Sequence, residues 1–253
     1  MEIHHHPDVH HKRKKFKEYF LEFLMIFLAV TMGFFAENLR EYFKDKSEIE
    51  NDMQSMVADL QADVAMYDYY ISENQLSDRK IDTLITLLET DRSNTSNIYF
   101  IARYVTATNN TYTPSTKTFE QMKSSAALKL IEPRKLLDSI SDYYQSLQWF
   151  PGVNTLQNEK LSEVHLANSK LFEGYIFQKM FDVVSTKFGA KGNLKRPAGN
   201  PAFHSENLDV INSVIMAYHY LFSVTEVNNK GAVVRYENAK RLINLIKKEY
   251  NLQ

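Results

Sequence analysis

The stretch FLEFLMIFLAVTMGFFA, from Phe20 to Ala36, decides how the rest of this chain is interpreted. At about 1.5 Å per residue, a helix over 19–36 is roughly 27 Å long, close to the thickness of a hydrocarbon core. Residues 23–36 carry no charge and are apolar on every side, whereas a surface helix of a soluble domain carries a polar stripe. We therefore predict one transmembrane helix at 19–36.

Two alternatives to an anchor are a cleaved signal peptide and the core helix of a soluble protein. A signal peptidase requires small residues three and one before the cut, and Phe34 and Phe35 occupy the end of the stretch. A cut at Gly33 fits less well than an uncleaved anchor, and the missing polar stripe disfavours the core helix. The side chains expected to face lipid are Phe23, Leu24, Ile26, Phe27, Leu28, Val30, Phe34 and Phe35.

The orientation of the span is predicted from the charges beside it. The flank before the span is basic, with Lys12, Arg13, Lys14, Lys15 and Lys17. The flank after it mixes acidic and basic residues. By the positive-inside rule, the tail of residues 1–18 is cytoplasmic and roughly 215 residues lie outside the cytoplasm. We therefore expect a single-pass protein of a bacterial inner membrane with a periplasmic C-terminal domain.

A long helix at 37–90 is predicted to follow the span, because no proline or glycine occurs from Glu37 to Glu89. Its apolar residues repeat at alternating spacings of four and three, which is typical of a helix that packs along its length. This interaction seam consists of Met53, Val57, Leu60, Val64, Tyr67 and Ile71. A second apolar row widens the face, which favours packing inside the chain's own domain over a coiled-coil dimer.

The remaining residues, 91–253, are predicted to form a helical domain packed with the long helix, which makes the fold class all-α. After a break at 91–94, Asn97–Ala107 is predicted to be a helix, with a short strand as the alternative because its residues are apolar and β-branched. The further expected helices are Phe119–Leu128 with a capping box at Thr118, a helix that starts at Pro133 and ends at Trp149–Gly152, Leu156–Val184 with an interruption near Gly174, Asn207–Val227 capped by Ser205, and Ala232–Tyr250. No alternating strand pattern is evident.

Two polar segments are predicted to be exposed loops. The first, 106–116, is rich in threonine and asparagine and is open to contact with a partner. The second, Lys187–His204, is a candidate contact loop whose basic residues are Lys191, Lys195 and Arg196. A long polar loop is usually either functional or mobile, and a soluble connection remains the simpler interpretation.

Five histidines in the N-terminal tail form the most metal-like cluster: His4, His5, His6, His10 and His11. Imidazoles bind zinc, nickel or copper, but a built site needs ligands that a scaffold holds in place. We expect adventitious binding there, and no metal site or cofactor. Glu22 lies about one turn from the cytoplasmic end of the span, where a carboxylate can remain hydrated, so we favour boundary placement over a role in ion coupling.

Catalytic motifs are not recognisable in the sequence, and we predict that the protein is not an enzyme. His165, His204 and His219 are possible bases, but no GxSxG or SxxK context accompanies them. Asp52, Asp59 and Asp63 lie near one helix face, which we interpret as a solvated face because no Glu-x-x-His pair is present. The net charge of -1 argues against a nucleic-acid partner.

The segment Thr118–Ile131, TFEQMKSSAALKLI, followed by PRKLLDSISDYY, resembles the central block of a family of single-span bacterial envelope proteins of unknown function. The order of the parts is also similar: basic tail, Phe- and Leu-rich span, long helix, this block, and a C-terminal helix rich in Leu, Ile and Lys. Where that family has glycine, this chain has Ala126. The resemblance implies membrane location and a helical exported domain, and it implies no activity.

The sequence therefore favours a membrane-anchored periplasmic interaction protein that acts as a scaffold, adaptor or accessory subunit. The expected partners are the lipid bilayer and either a second copy or another envelope protein. The alternative is a periplasmic sensory or small-ligand-binding module that signals through a partner membrane protein. An aromatic pocket between helices would favour this alternative.

Overall fold

The computed structural model describes residues 16–108, 112–186 and 189–252, and most of them are helical. The elements are α1 Phe16–Thr90, α2 Thr95–Ala107, α3 Lys117–Ser124, a 3-10 helix Ala127–Leu130, α4 Arg134–Ser146, α5 Trp149–Leu171, α6 Gly174–Lys179, β1 Phe181–Thr186, β2 Gly189–Leu194 and α7 Leu208–Tyr250. The helical prediction is confirmed, and the chain divides into two units between Asn51 and Asp52.

The first unit contains the apolar part of α1. Near the N-terminal end of this helix, an 18-residue window has a mean hydropathy of 2.0 and none of it is buried. Phe23 is 63% exposed and Phe35 is 70% exposed, and Leu24 is the one predicted anchor residue that is only partly exposed. By length and composition, this helix is able to cross a membrane.

The second unit begins at Asp52 and is built on helices whose apolar faces meet in a common core. One hydrophobic cluster joins the C-terminal part of α1 to α2, α5 and the N-terminal half of α7. It includes Leu84, Leu88, Ile98, Val164, Val214 and Leu221. Further along α7, Ala232, Ala239 and Ile246 are also buried, so both halves of this helix contribute to the core.

Polar contacts lie between these two apolar stretches of α7. The Thr225 hydroxyl donates to Asp78 Oδ1 at 2.6 Å, and Asn228 Nδ2 donates to Gln157 Oε1 at 2.6 Å. Thr225 and Asn228 are both buried. Because a buried polar group is costly unless it is paired, these bonds fix how α7 aligns with α1 and α5.

The break after α1 and the helix after it are confirmed. Asn94 begins α2 by accepting a hydrogen bond from the Asn97 amide at 3.1 Å, and Asp91 accepts one from Ser93 at 3.0 Å. These short side chains compete with the helical backbone, which is why the helix stops at this point.

The predicted break at Trp149–Gly152 is wrong, because α5 begins at Trp149. Pro151 lies in its first turn, where backbone N–H groups have no partner within the helix and proline is tolerated. The predicted division of the C-terminal segment into two helices is also wrong. Helix α7 runs through Gly231, and a Cβ at that position would lie 2.3 Å from Cη2 of Trp149. Glycine is present there because the indole ring packs against the helix.

The predicted helix to Val184 ends early, at Leu171, with a short second helix after the expected interruption near Gly174. Strands β1 and β2 then pair antiparallel, with Phe181 opposite Leu194 and Thr186 opposite Gly189. The expectations of helix before 184 and loop after 187 are therefore wrong here. The β-branched residues Val183, Val184 and Thr186 were the available signal.

Two predicted caps are replaced by other residues. Thr116, not Thr118, precedes α3, and it makes no side-chain capping bond. At the start of α7, the Asn207 side chain accepts from the Asp209 amide at 2.8 Å, so Asn207 is the cap in place of Ser205. Thr118 instead lies inside α3, where its side chain has a different partner.

Candidate interaction groove and ligand pocket

Two carboxylates of α1 hold the segment that leads into α3. Asp63 Oδ1 accepts from the Tyr112 hydroxyl at 2.5 Å and from the Ser115 amide at 3.0 Å. Asp59 Oδ2 accepts from the Thr118 hydroxyl at 2.6 Å and from its amide at 3.2 Å. Asp63 is only 4% exposed, so the prediction of a solvated carboxylate face is wrong for this residue.

Asp63 lies in an unfavourable environment for a charge. Burial raises the pKa of its carboxyl, the bonds from Tyr112 and Ser115 lower it, and repulsion from Asp59 raises it, with a net upward shift. Its second oxygen, Oδ2, has no hydrogen-bond partner among the described residues. The carboxylate therefore positions the 112–118 segment at a cost in solvation.

Tyrosine rings surround this carboxylate. Tyr67, Tyr143 and Tyr144 are each at most 5% exposed, and burial raises the pKa of each hydroxyl above its ordinary value. The Tyr67 and Tyr112 rings meet edge to face at 5.1 Å. These hydroxyls stay protonated at neutral pH, which suits a packing role for the rings.

An open groove lies on the outer side of the segment that Asp59 and Asp63 hold. Its volume is about 460 Å³, and its lining includes Pro114, Phe119, Lys123, Tyr144, Gln148 and Pro151. We call it the partner groove. The rings of Phe119 and Tyr144 stack in parallel with centroids 4.3 Å apart. At its rim, Lys123 pairs with Glu120 at 3.8 Å.

A second concavity, the Arg103 pocket, lies among α2, α5 and α6. It is lined by Arg103, His165, Asn168, Ser169, Phe172, Gly174, Phe177 and Gln178, and its volume is about 390 Å³. The Arg103 guanidinium lies 5.3 Å from the centroid of the Phe177 ring and 4.8 Å from that of Phe181. Such cation–π contacts hold the guanidinium in place without neutralising it.

Two titratable groups in the Arg103 pocket have shifted pKa values. Burial lowers the pKa of Arg103, and no acidic side chain within the described part of the chain acts against this. The pKa of His165 is lowered first by burial and then by the positive charge of Arg103. At neutral pH the imidazole is therefore uncharged, and the positive charge of this pair is that of Arg103.

The structure buries most of the predicted interaction seam. Met53, Val57, Leu60 and Tyr67 are at most 6% exposed, and Val64 and Ile71 are half-buried. The large apolar side chains that are exposed in this part of α1 are Met66 and Tyr69, at 46% and 56%.

The basic residues of the predicted contact loop have intramolecular partners where their side chains are described. Lys195 pairs with Asp182 across the hairpin. Arg196 donates to Asn97 Oδ1 at 3.1 Å and lies 4.3 Å from the Phe100 ring centroid. Residues 195–204 thus lie against α2. The Lys191 side chain is outside the described part of the chain.

The remaining predicted site residues fall at or beyond the limits of the structure. The tail histidines His4, His5, His6, His10 and His11, and the basic residues Lys12, Arg13, Lys14 and Lys15, lie outside the described residues. Lys17 is described and exposed. Among residues 16–108, 112–186 and 189–252, no group of three or more potential metal ligands converges.

The other candidate bases occupy different environments. His204 Nδ1 lies 3.0 Å from Glu173 Oε1 at the surface, and His219 is exposed on α7. His165 is the one of the three that lines a pocket. Sequence reasoning missed Arg103, because an arginine inside an apolar helical segment gives no motif; an unusual charge among Ile101, Ala102 and Val105 was the only signal.

Comparisons with known proteins return no match: no family model, curated protein or solved structure is significantly similar to this chain.

Proposed function

We propose that this chain is a single-span protein of a bacterial inner membrane whose helical domain lies in the periplasm and works by binding, as a scaffold, adaptor or accessory subunit. The resemblance to single-span envelope proteins supports the same placement. The proposal includes no catalytic residue, cofactor or nucleic-acid partner.

The fully exposed apolar part of α1 carries the proposal. An 18-residue window of this helix has a mean hydropathy of 2.0 and none of it is buried, whereas an ordinary surface helix carries polar residues on its exposed face. Large apolar patches exposed to water are strongly disfavoured, and insertion into lipid removes this cost. Orientation follows from charge, since Lys17 belongs to a basic flank while Arg40 pairs with Glu37 on the other side.

The partner groove supports a binding role. Its rim charges, Lys123 and Glu120, are paired with each other, so recognition depends on the half-buried ring of Phe119, which stacks on the buried ring of Tyr144. We propose that it takes an apolar side chain from a segment of another envelope protein, since aromatic-lined grooves of this size favour such anchors. Attachment through Asp59 and Asp63 keeps one wall of the groove in a fixed position.

In-cell photocrosslinking tests the binding role. A photoreactive residue replaces Lys123 or Gln145 at the groove, and the exposed Lys240 on α7 serves as the control position. We expect a discrete crosslinked product with an envelope protein from positions 123 and 145 and none from position 240. The additional substitution Phe119→Ser should abolish that product. Crosslinked products of equal yield from position 240, or products that persist with Phe119→Ser, would contradict the proposal that the partner groove binds another protein.

The polar and aromatic lining of the Arg103 pocket favours the alternative function, a small-ligand-binding module.

A further inference from the structure

The Arg103 pocket contains a cation that the protein does not neutralise. Among the described residues, Arg103 forms no ion pair, and its Nε is buried without a hydrogen-bond partner. An unpaired, partly desolvated guanidinium is costly, and planar arginine donors match the two oxygens of a carboxylate. The cost falls when an anion binds beside it.

A second polar group in this pocket also lacks a partner. Asn168 is only 4% exposed; its Nδ2 donates to the Tyr218 hydroxyl at 3.0 Å, while its Oδ1 has no partner. The Tyr218 hydroxyl donates to the Ala102 carbonyl oxygen at 3.4 Å and so accepts from Asn168 Nδ2, which leaves Oδ1 of Asn168 as an acceptor without a partner among the described residues. A buried polar atom without a partner is costly, and a bound water, ion or ligand can supply the missing hydrogen bond.

The walls of the pocket define the rest of the ligand. Phe172 and Phe177 contribute aromatic surface, and their centroids are 5.3 Å apart with nearly parallel rings. A volume of about 390 Å³ is in the lower part of the range for small-molecule sites. The single cation favours one negative charge, whereas a phosphate dianion would require more positive charge.

We propose that the Arg103 pocket binds a small monocarboxylate with an apolar or aromatic body. The carboxylate pairs with the Arg103 guanidinium, and the body lies against Phe172 and Phe177. Oδ1 of Asn168 is an acceptor, so it suits a hydroxyl or N–H group on the body and not the carboxylate. His165 lies at the rim, where a bound anion favours its protonated form. The site is separate from the partner groove, which uses α3 and α4, so either proposal can fail without the other.

The test uses the full chain in lipid nanodiscs and radiolabelled benzoate in equilibrium dialysis, with empty nanodiscs as the background. We expect saturable binding that Arg103→Met weakens at least about tenfold, since a hydrogen bond to a charged group contributes roughly 1.5–3 kcal/mol. Arg134→Met, at a guanidinium that is 81% exposed and outside the pocket, should leave binding unchanged. Benzyl alcohol and inorganic phosphate should compete poorly.

A second readout does not depend on the folding of a variant. In the wild-type protein, benzoate should raise the pKa of the His165 imidazole, measured by NMR of labelled histidine and assigned with His165→Gln. The proposal is wrong if benzoate binding does not saturate, or if benzyl alcohol competes as well as unlabelled benzoate. It is also wrong if a folded Arg103→Met protein keeps its affinity, or if benzoate leaves the pKa of His165 unchanged.

Discussion

Replacement of Gly231 by alanine should destabilise this protein, although the same change in an ordinary helix stabilises it. The new Cβ would lie 2.3 Å from Cη2 of Trp149 and 2.7 Å from its Cζ2. The indole would have to move by about 1 Å to restore van der Waals contact. It is held between the Arg235 guanidinium, 4.5 Å from the ring, and Phe150, whose centroid is 5.4 Å away.

The magnitude follows from two opposing contributions. Overpacking costs typically 1–3 kcal/mol, and the severe contact with Trp149 places this case at about 2–3 kcal/mol. Alanine recovers about 1 kcal/mol through its helix propensity. We therefore expect Gly231→Ala to lower the free energy of unfolding by about 1–2 kcal/mol, a shift of several degrees in Tm.

The assay is urea and thermal unfolding of the full chain in mild detergent, followed by circular dichroism. Gly152→Ala is the matched control, because Gly152 also lies in a helix and a Cβ there meets nothing within 4 Å. It should raise stability by up to about 1 kcal/mol. In a Trp149→Leu background the cost of Gly231→Ala should shrink. If Gly231→Ala stabilises the protein as much as Gly152→Ala, the packing of Trp149 on α7 is wrong.

Three further predictions concern single side chains. Ala126→Gly should raise the free energy of unfolding by roughly 0.5–1 kcal/mol. The φ of 60° costs an L-residue about 1–2 kcal/mol, and the greater backbone entropy that glycine loses on folding offsets about 0.5–1 kcal/mol of this gain. An unchanged urea midpoint would contradict this prediction. The pKa of Asp63 is higher in the folded protein than in the unfolded chain, so ionisation of this carboxyl favours unfolding. The wild type should therefore lose stability relative to Asp63→Asn as the pH rises from about 4 to about 7. A constant difference in unfolding free energy across that range would argue against the buried carboxylate. Tyr218→Phe should cost about 1–3 kcal/mol in the same urea assay, since Asn168 Nδ2 loses its acceptor, and a cost near zero would count against that bond.

Local pattern was sufficient for the elements whose stability is local. The absence of proline and glycine from 37 to 89 predicted most of α1, and the polar residues Asp91, Ser93 and Asn94 predicted the break after it. The left-handed backbone at Ala126, with a φ of 60°, was not predicted, because alanine gives no local signal for a conformation that favours glycine.

The errors occurred where a distant residue decides the local structure. Gly231 resembles a helix break until Trp149, far away in the chain, is seen to pack against it. Asp63 resembles part of a solvated face until the 112–118 segment covers it. The uncompensated charge of Arg103 is also visible only once α5 and α6 lie beside α2. Such tertiary contacts override propensity, and a single sequence does not encode them in any local pattern.

The central claim, a single span with an exported domain, is tested most directly by cysteine labelling, which is clean because the sequence contains no cysteine. The full chain is produced in a Gram-negative bacterium with Asp8→Cys or Lys129→Cys, and intact cells are treated with a small maleimide that does not cross the inner membrane. The account predicts a membrane-bound protein in which Lys129→Cys is labelled in intact cells and Asp8→Cys only after lysis. The reverse pattern, or a protein that does not sediment with membranes, would contradict it.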